Sequence, residues 1–200
     1  VGIPTLALAV WARPGPLPRG SMLQTISHFV IPAALTIYVF GLFVYIATII
    51  IATGTEELIN ITPEVVESFQ TYAGITYDIS AQDDFVREVA VLAAQSALTS
   101  FLVYSGLLLI IFVEPPIQWF VGGDEFSGDW RPTILAGALL IGYWIILLVE
   151  PLRAFFELLA LPLTAHFGIG AVTLIWMFVL RIIWRHNILE RFIGIDNAAS

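Results

Sequence analysis

Gln95, Ser96, Thr99, Ser100 and Tyr104 are linked by steps of three to five residues inside a stretch, 91–113, that carries no charge. On a helix they share about half of the circumference. Hydroxyl and amide groups so placed have two uses: they can bond to a neighbouring helix, or they can offer oxygen to a passing cation. An unpaired polar atom in hydrocarbon costs several kcal/mol, so this face is expected to meet protein or water. Helix-to-helix hydrogen bonding with small-residue packing is the plainer expectation. A border on an ion pathway is the sharper one.

Little else in the chain could do chemistry. There is no cysteine, which excludes thiolate catalysis, disulfides and zinc–thiolate sites. The three histidines, His28, His166 and His186, are far apart and lack the i, i+4 spacing of a helical metal site, so they read as packing or interfacial residues and no metal site is assigned. Glu114-Pro115 and Glu150-Pro151 each place a carboxylate where an apolar run stops and a proline ends the helix. They are expected on opposite sides of a membrane, so they do not form a catalytic pair. Glu150, Arg153 and Glu157, at i, i+3 and i, i+4 spacing, suggest an ion-pair ladder at the membrane surface. The loop Gly122-Gly123-Asp124-Glu125-Phe126-Ser127-Gly128-Asp129-Trp130 lacks the register of a calcium-binding EF-hand, and its glycines read as turn residues between the interfacial anchors Trp119 and Trp130. No catalytic or cofactor-binding residue is assigned.

The elements that must position these groups follow from composition. At 58% hydrophobic and 12% charged over 200 residues, the chain exceeds what a soluble domain can hide, since such domains run at about a quarter charged. It reads as an integral membrane protein whose first partner is the lipid bilayer. The net charge of -8, with every basic residue an isolated arginine, leaves no patch to grip phosphates, and nucleic acid is excluded as a partner. A hydrocarbon layer of about 30 Å needs roughly twenty apolar residues of helix. The runs 26–53, 91–113, 133–149 and 168–184 come close, which predicts an all-α polytopic membrane helix bundle of four full spans. A preceding helix, 1–12, contributes only its tail, loosened by Pro4 and reaching the headgroups at Trp11 and Arg13.

Arginine placement sets the expected orientation, because basic residues in short loops resist translocation. Arg13, Arg19, Arg131, Arg181, Arg185 and Arg191 fall on the side of both termini, against Arg87 and Arg153 on the other, which puts both ends in the cytoplasm. The loops 13–25 and 114–132 and the tail 185–200 are then cytoplasmic, and 54–90 is extracytoplasmic with the interfacial link 150–167. The 54–90 loop is expected to be partly folded: Thr62-Pro63-Glu64 signals a helix start, and Ser80 with Asp83 reads as a capping box. Its acidic residues read as a solvated loop, with a weak cation vestibule as the sharper reading. In the tail, Ile188, Leu189, Phe192 and Ile193 suit an amphipathic turn on the cytoplasmic leaflet.

Three stretches carry a resemblance. Gly2-Ile3-Pro4-Thr5-Leu6-Ala7-Leu8 ahead of a proline-rich loop resembles the end of the sixth membrane helix of P-type cation-transporting ATPases. His28-Phe29-Val30-Ile31-Pro32-Ala33-Ala34-Leu35 is similar to the start of their seventh helix in bacterial members. The run from Glu150-Pro151-Leu152-Arg153-Ala154-Phe155-Phe156 to Glu157-Leu158-Leu159-Ala160-Leu161-Pro162-Leu163 is similar to the link between their ninth and tenth helices. The resemblance covers nearly the whole chain, from the end of the sixth helix through the tenth. It implies that residue 1 falls within a helix, and that a longer chain holds the other membrane helices and the cytoplasmic domains as partners. It also implies ATP and Mg2+ as cofactors of that longer chain, a transported cation, and a bacterial plasma membrane as location. This stretch has no cofactor of its own: it contains no lysine, hence no Asp-Lys-Thr-Gly phosphorylation motif, and no P-loop.

Where calcium and sodium pumps place a cation-binding aspartate before Gly-Leu-Pro, this chain has Val1, and the eighth-helix ligand position of some members falls near Ser105. Ser105 therefore joins Gln95, Ser96, Thr99, Ser100 and Tyr104 as the ion-pathway candidate face, with no particular ion implied. The function expected is bracing of the ion-binding helices of a cation pump. The alternative is a free-standing four-helix membrane protein acting as an assembly or interaction subunit. An intramembrane enzyme is disfavoured, because no acid, histidine and serine converge on one depth.

Overall fold

The computed structural model describes residues 2–11, 22–54, 82–121 and 128–186. Their regular elements are helical: α1 (Gly2–Trp11), α2 (Met22–Thr53), α3 (Gln82–Val113), a 3-10 turn (Gln118–Phe120), α4 (Arg131–Leu148), the short α5 (Glu150–Phe155) and α6 (Leu163–His186). Four of these, α2, α3, α4 and α6, are long and apolar enough to cross a membrane. The chain is thus all-α with the character of an integral membrane protein. The signals at Thr62, Pro63, Glu64 and Ser80, the glycines Gly122 and Gly123, and the tail from 187 lie outside the described residues.

Each long helix covers one of the apolar runs, except that α4 stops at Leu148, one residue short of its run, and the starts differ. α3 starts at Gln82, ahead of the run at 91, because a helix continues past an apolar run for as long as its backbone bonds are met locally, and α6 likewise starts at Leu163, ahead of the run at 168. The two Glu-Pro signals also part company. Glu114 lies just past the end of α3, with Pro115 and Pro116 buried behind it, whereas Pro151 sits in the first turn of α5 and starts a helix instead of merely stopping one. Within α2, hydroxyls are returned to their own backbone: Thr36 Oγ1 donates to the Pro32 carbonyl (2.8 Å) and Thr48 Oγ1 to that of Val44 (2.8 Å). This removes a bare hydroxyl from an apolar run.

The helices divide into two compact units. The first (Val1–Phe40, Val103–Ile141, Val172–Ser200) is centred on aromatic rings. Trp184 stacks on Phe29 of α2 (4.8 Å) and meets Phe112 of α3 edge-on (5.2 Å), and Phe112 in turn meets Phe120 (5.4 Å). Trp176 Nε1 donates to Thr36 Oγ1 (3.0 Å), tying α6 to α2.

The second unit (Gly41–Leu102, Gly142–Ala171) is built on small residues. Ala90, Ala93, Ala94 and Ala97 are buried on one side of α3 and let neighbouring backbones come close. Gly41 of α2 is the most crowded of the described glycines: a Cβ there would lie 3.1 Å from Leu98 Cδ1.

Large apolar side chains, among them Leu35, Val39, Ile50, Ile141, Ile175 and Phe178, point outward, while alanine, serine and threonine fill buried positions. A water-soluble fold could not sustain that distribution, since so much exposed apolar surface needs hydrocarbon around it.

Candidate functional site

The candidate polar face of α3 splits in two. Gln95 and Thr99 are exposed, and Thr99 returns its hydroxyl to the Gln95 carbonyl (2.8 Å). Ser96, Ser100, Tyr104 and Ser105 are buried. Half a circumference is too wide for one neighbour to cover, so the packed helices take the inner part and leave the rest outside.

Inside the second unit, Ser96 and Ser100 bind two different elements. Ser100 Oγ donates to the Ser96 carbonyl (3.0 Å) and lies 2.8 Å from the Tyr143 hydroxyl of α4. A serine hydroxyl has one proton, and here it is committed to the Ser96 carbonyl, so the Tyr143 hydroxyl is the donor of the second bond. Ser96 Oγ accepts the backbone N–H of Leu159 (2.8 Å) in the non-helical segment between α5 and α6. Two adjacent turns of α3 thus hold α4 and the α5–α6 segment through hydroxyl oxygens.

The same unit contains Arg153 and His166. Arg153 Nη1 donates to the Leu147 carbonyl (3.0 Å), one of the last carbonyls of α4, where a cation also complements the helix dipole. No ion pair among the described residues joins Arg153 to Glu150 or Glu157, so the expected ladder does not form. Arg153 is turned back to the Leu147 carbonyl, and α5 ends at Phe155 with Glu157 in a left-handed conformation (φ 53°), which removes Glu157 from the helical i, i+4 position. The turn is a Schellman cap, with Leu158 N–H on the Arg153 carbonyl and Glu157 N–H on that of Ala154, both at 3.0 Å. His166 is buried with its ring against Trp144 (5.3 Å), as a packing residue would be. His28 lies in α2 and His186 at the end of α6, and among the described residues no group of three His, Asp or Glu side chains comes together.

In the first unit, Arg181 sits one turn inside the end of α6. Its Nε donates to the Trp119 carbonyl (2.7 Å) and its guanidinium lies 4.5 Å from the centre of the Trp119 ring. Trp119 therefore holds a cation, a contact that the expected interfacial anchoring did not include. Asp129 accepts the Arg131 backbone N–H (3.0 Å) at the start of α4 and also pairs with the Arg131 guanidinium.

Sequence reasoning singled out Ser96 and Ser100 but missed Tyr143, Thr36 and Trp176. The available signal was a polar atom on an otherwise apolar span, which Tyr143 and Thr36 both present. Chemically, the arrangement joins helices; the Ser96 and Ser100 oxygens face partners in the protein, and no carboxylate stands beside them on α2, α4 or α6. Comparison with protein-family models, curated proteins and solved structures finds no match to this chain.

Proposed function

We propose that this chain is a bracing element in the membrane region of a P-type cation-transporting ATPase, holding the ion-carrying helices in place while ATP-driven domains move. The observation that carries the reading is the use of the buried hydroxyls. Ser96 to Leu159, Ser100 to Tyr143 and Thr36 to Trp176 each join one element to another. In lipid, where helices gain no hydrophobic energy from meeting, such bonds and small-residue packing are what hold helices together. The three resemblant stretches support the pump identity and with it a bacterial plasma membrane, and the arginine distribution favours both ends in the cytoplasm. ATP, Mg2+ and the transported cation belong to the longer chain in this reading.

The test is to detect the polypeptide carrying this sequence in native membranes with an antibody and to assay it for phosphorylation by ATP. A polypeptide far larger than 22.0 kDa that forms a hydroxylamine-sensitive aspartyl phosphate supports the pump. A 22.0 kDa species with no phosphoenzyme overturns it in favour of a free-standing assembly subunit. ATPase activity of the larger species against calcium, magnesium, manganese, sodium and potassium then identifies the ion.

A further inference from the structure

The bond from Leu159 to Ser96 reports how deep the α5–α6 segment lies. Gly41 of α2 packs at the level of Leu98 and Phe101 of α3. At 1.5 Å per residue, Ser96 is about 3–8 Å beyond that level toward the start of α3, and Ile50 is about 14 Å beyond Gly41 along α2. Ile50 and Ile51 are 65% and 66% exposed, on a helix with no charge from His28 to Thr53, an apolar surface suited to hydrocarbon. On α3, the exposed charges Arg87 and Glu88 begin only about 12 Å beyond Ser96. Leu159 is therefore pinned several ångströms deeper than Ile50, on the side away from the charges of α3.

Irregular backbone survives at such depth only if its polar groups are met within the protein. Here four consecutive amides have partners: Phe156 on the Leu152 carbonyl, Glu157 on Ala154, Leu158 on Arg153 and Leu159 on Ser96 Oγ. Pro162 has no N–H to satisfy. At 100° per residue, α5 sets Leu152 and Phe155 opposite Glu150 and Arg153. Phe155 is 79% exposed, and Phe156, Leu163 and Phe167 continue that apolar surface toward α6.

We propose that the segment joining α4 to α6 is re-entrant: it turns inside the hydrocarbon layer, with lipid acyl chains covering Phe155 and its apolar neighbours. The exposed carboxylates Glu150 and Glu157 are accommodated there as intramembrane charges generally are, by water and headgroups drawn in locally. This inference requires a bilayer around the chain and is independent of any pump activity.

The chain has no cysteine, so a single introduced thiol carries the only spin label. Phe155→Cys and Ala160→Cys, with Ile50→Cys and Arg87→Cys as references, are labelled with a nitroxide in proteoliposomes. Collision rates are then measured with oxygen, which concentrates in lipid, and with a water-soluble nickel chelate. The expected result is that labels at 155 and 160 favour oxygen, as at 50, and oppose the pattern at 87. Labels at both positions favouring the nickel chelate, as a surface segment would, overturn the proposal. So does exclusion of both reagents, which would mean that protein covers this side.

Discussion

The bond between Ser100 and Tyr143 makes an asymmetric prediction that a double-mutant cycle can test. Ser100 is 1% exposed and Tyr143 8% exposed, so water cannot replace either partner easily. Ser100→Ala takes from the Tyr143 hydroxyl the oxygen to which it donates and should cost about 1–3 kcal/mol, the range for a buried donor that loses its acceptor. Tyr143→Phe should cost less, about 0.5–1 kcal/mol, because Ser100 keeps its own proton on the Ser96 carbonyl and loses only an accepted bond. The double variant has no donor left to strand, so its cost should fall short of the sum by about 0.5–1.5 kcal/mol, the scale of hydrogen bonds between membrane helices. The assay is reversible unfolding in mixed micelles with increasing dodecyl sulfate, followed by far-ultraviolet circular dichroism. Additivity to within about 0.3 kcal/mol would refute the bond. A larger cost for Tyr143→Phe than for Ser100→Ala would refute the assigned direction of the proton.

Three other outcomes follow from local geometry. Glu157→Gly should raise stability by up to about 1 kcal/mol in the same assay, since glycine relieves the left-handed backbone while losing more entropy on folding. Gly41→Ile should cost about 1–3 kcal/mol, whereas Gly41→Ala should cost less because only the flexible end of Leu98 must yield. Arg181→Lys should lose most of what Arg181→Ala loses, about 1–2 kcal/mol, because an ammonium cannot both lie flat on Trp119 and donate to its carbonyl at the present spacing; equal stability of Arg181→Lys and the unaltered protein would contradict this.

The amino-acid sequence by itself determined the helices that can cross a bilayer, because hydrocarbon thickness and helical rise set a length that α2, α3, α4 and α6 meet through apolar runs readable residue by residue. It also placed a polar arc on α3, since 3.6 residues per turn is a local property. What lies across from that arc is not local. Only the tertiary structure separated Ser96 and Ser100, bonded to Leu159 and Tyr143, from Gln95 and Thr99, left outside. In the same way, the spacing of Glu150, Arg153 and Glu157 described a continuous helix, while the chain turned at Glu157 and sent Arg153 to the end of α4. Periodicity tells which side of a helix a residue occupies; its partner depends on contacts between residues tens of positions apart, and those exist only once the helices have packed.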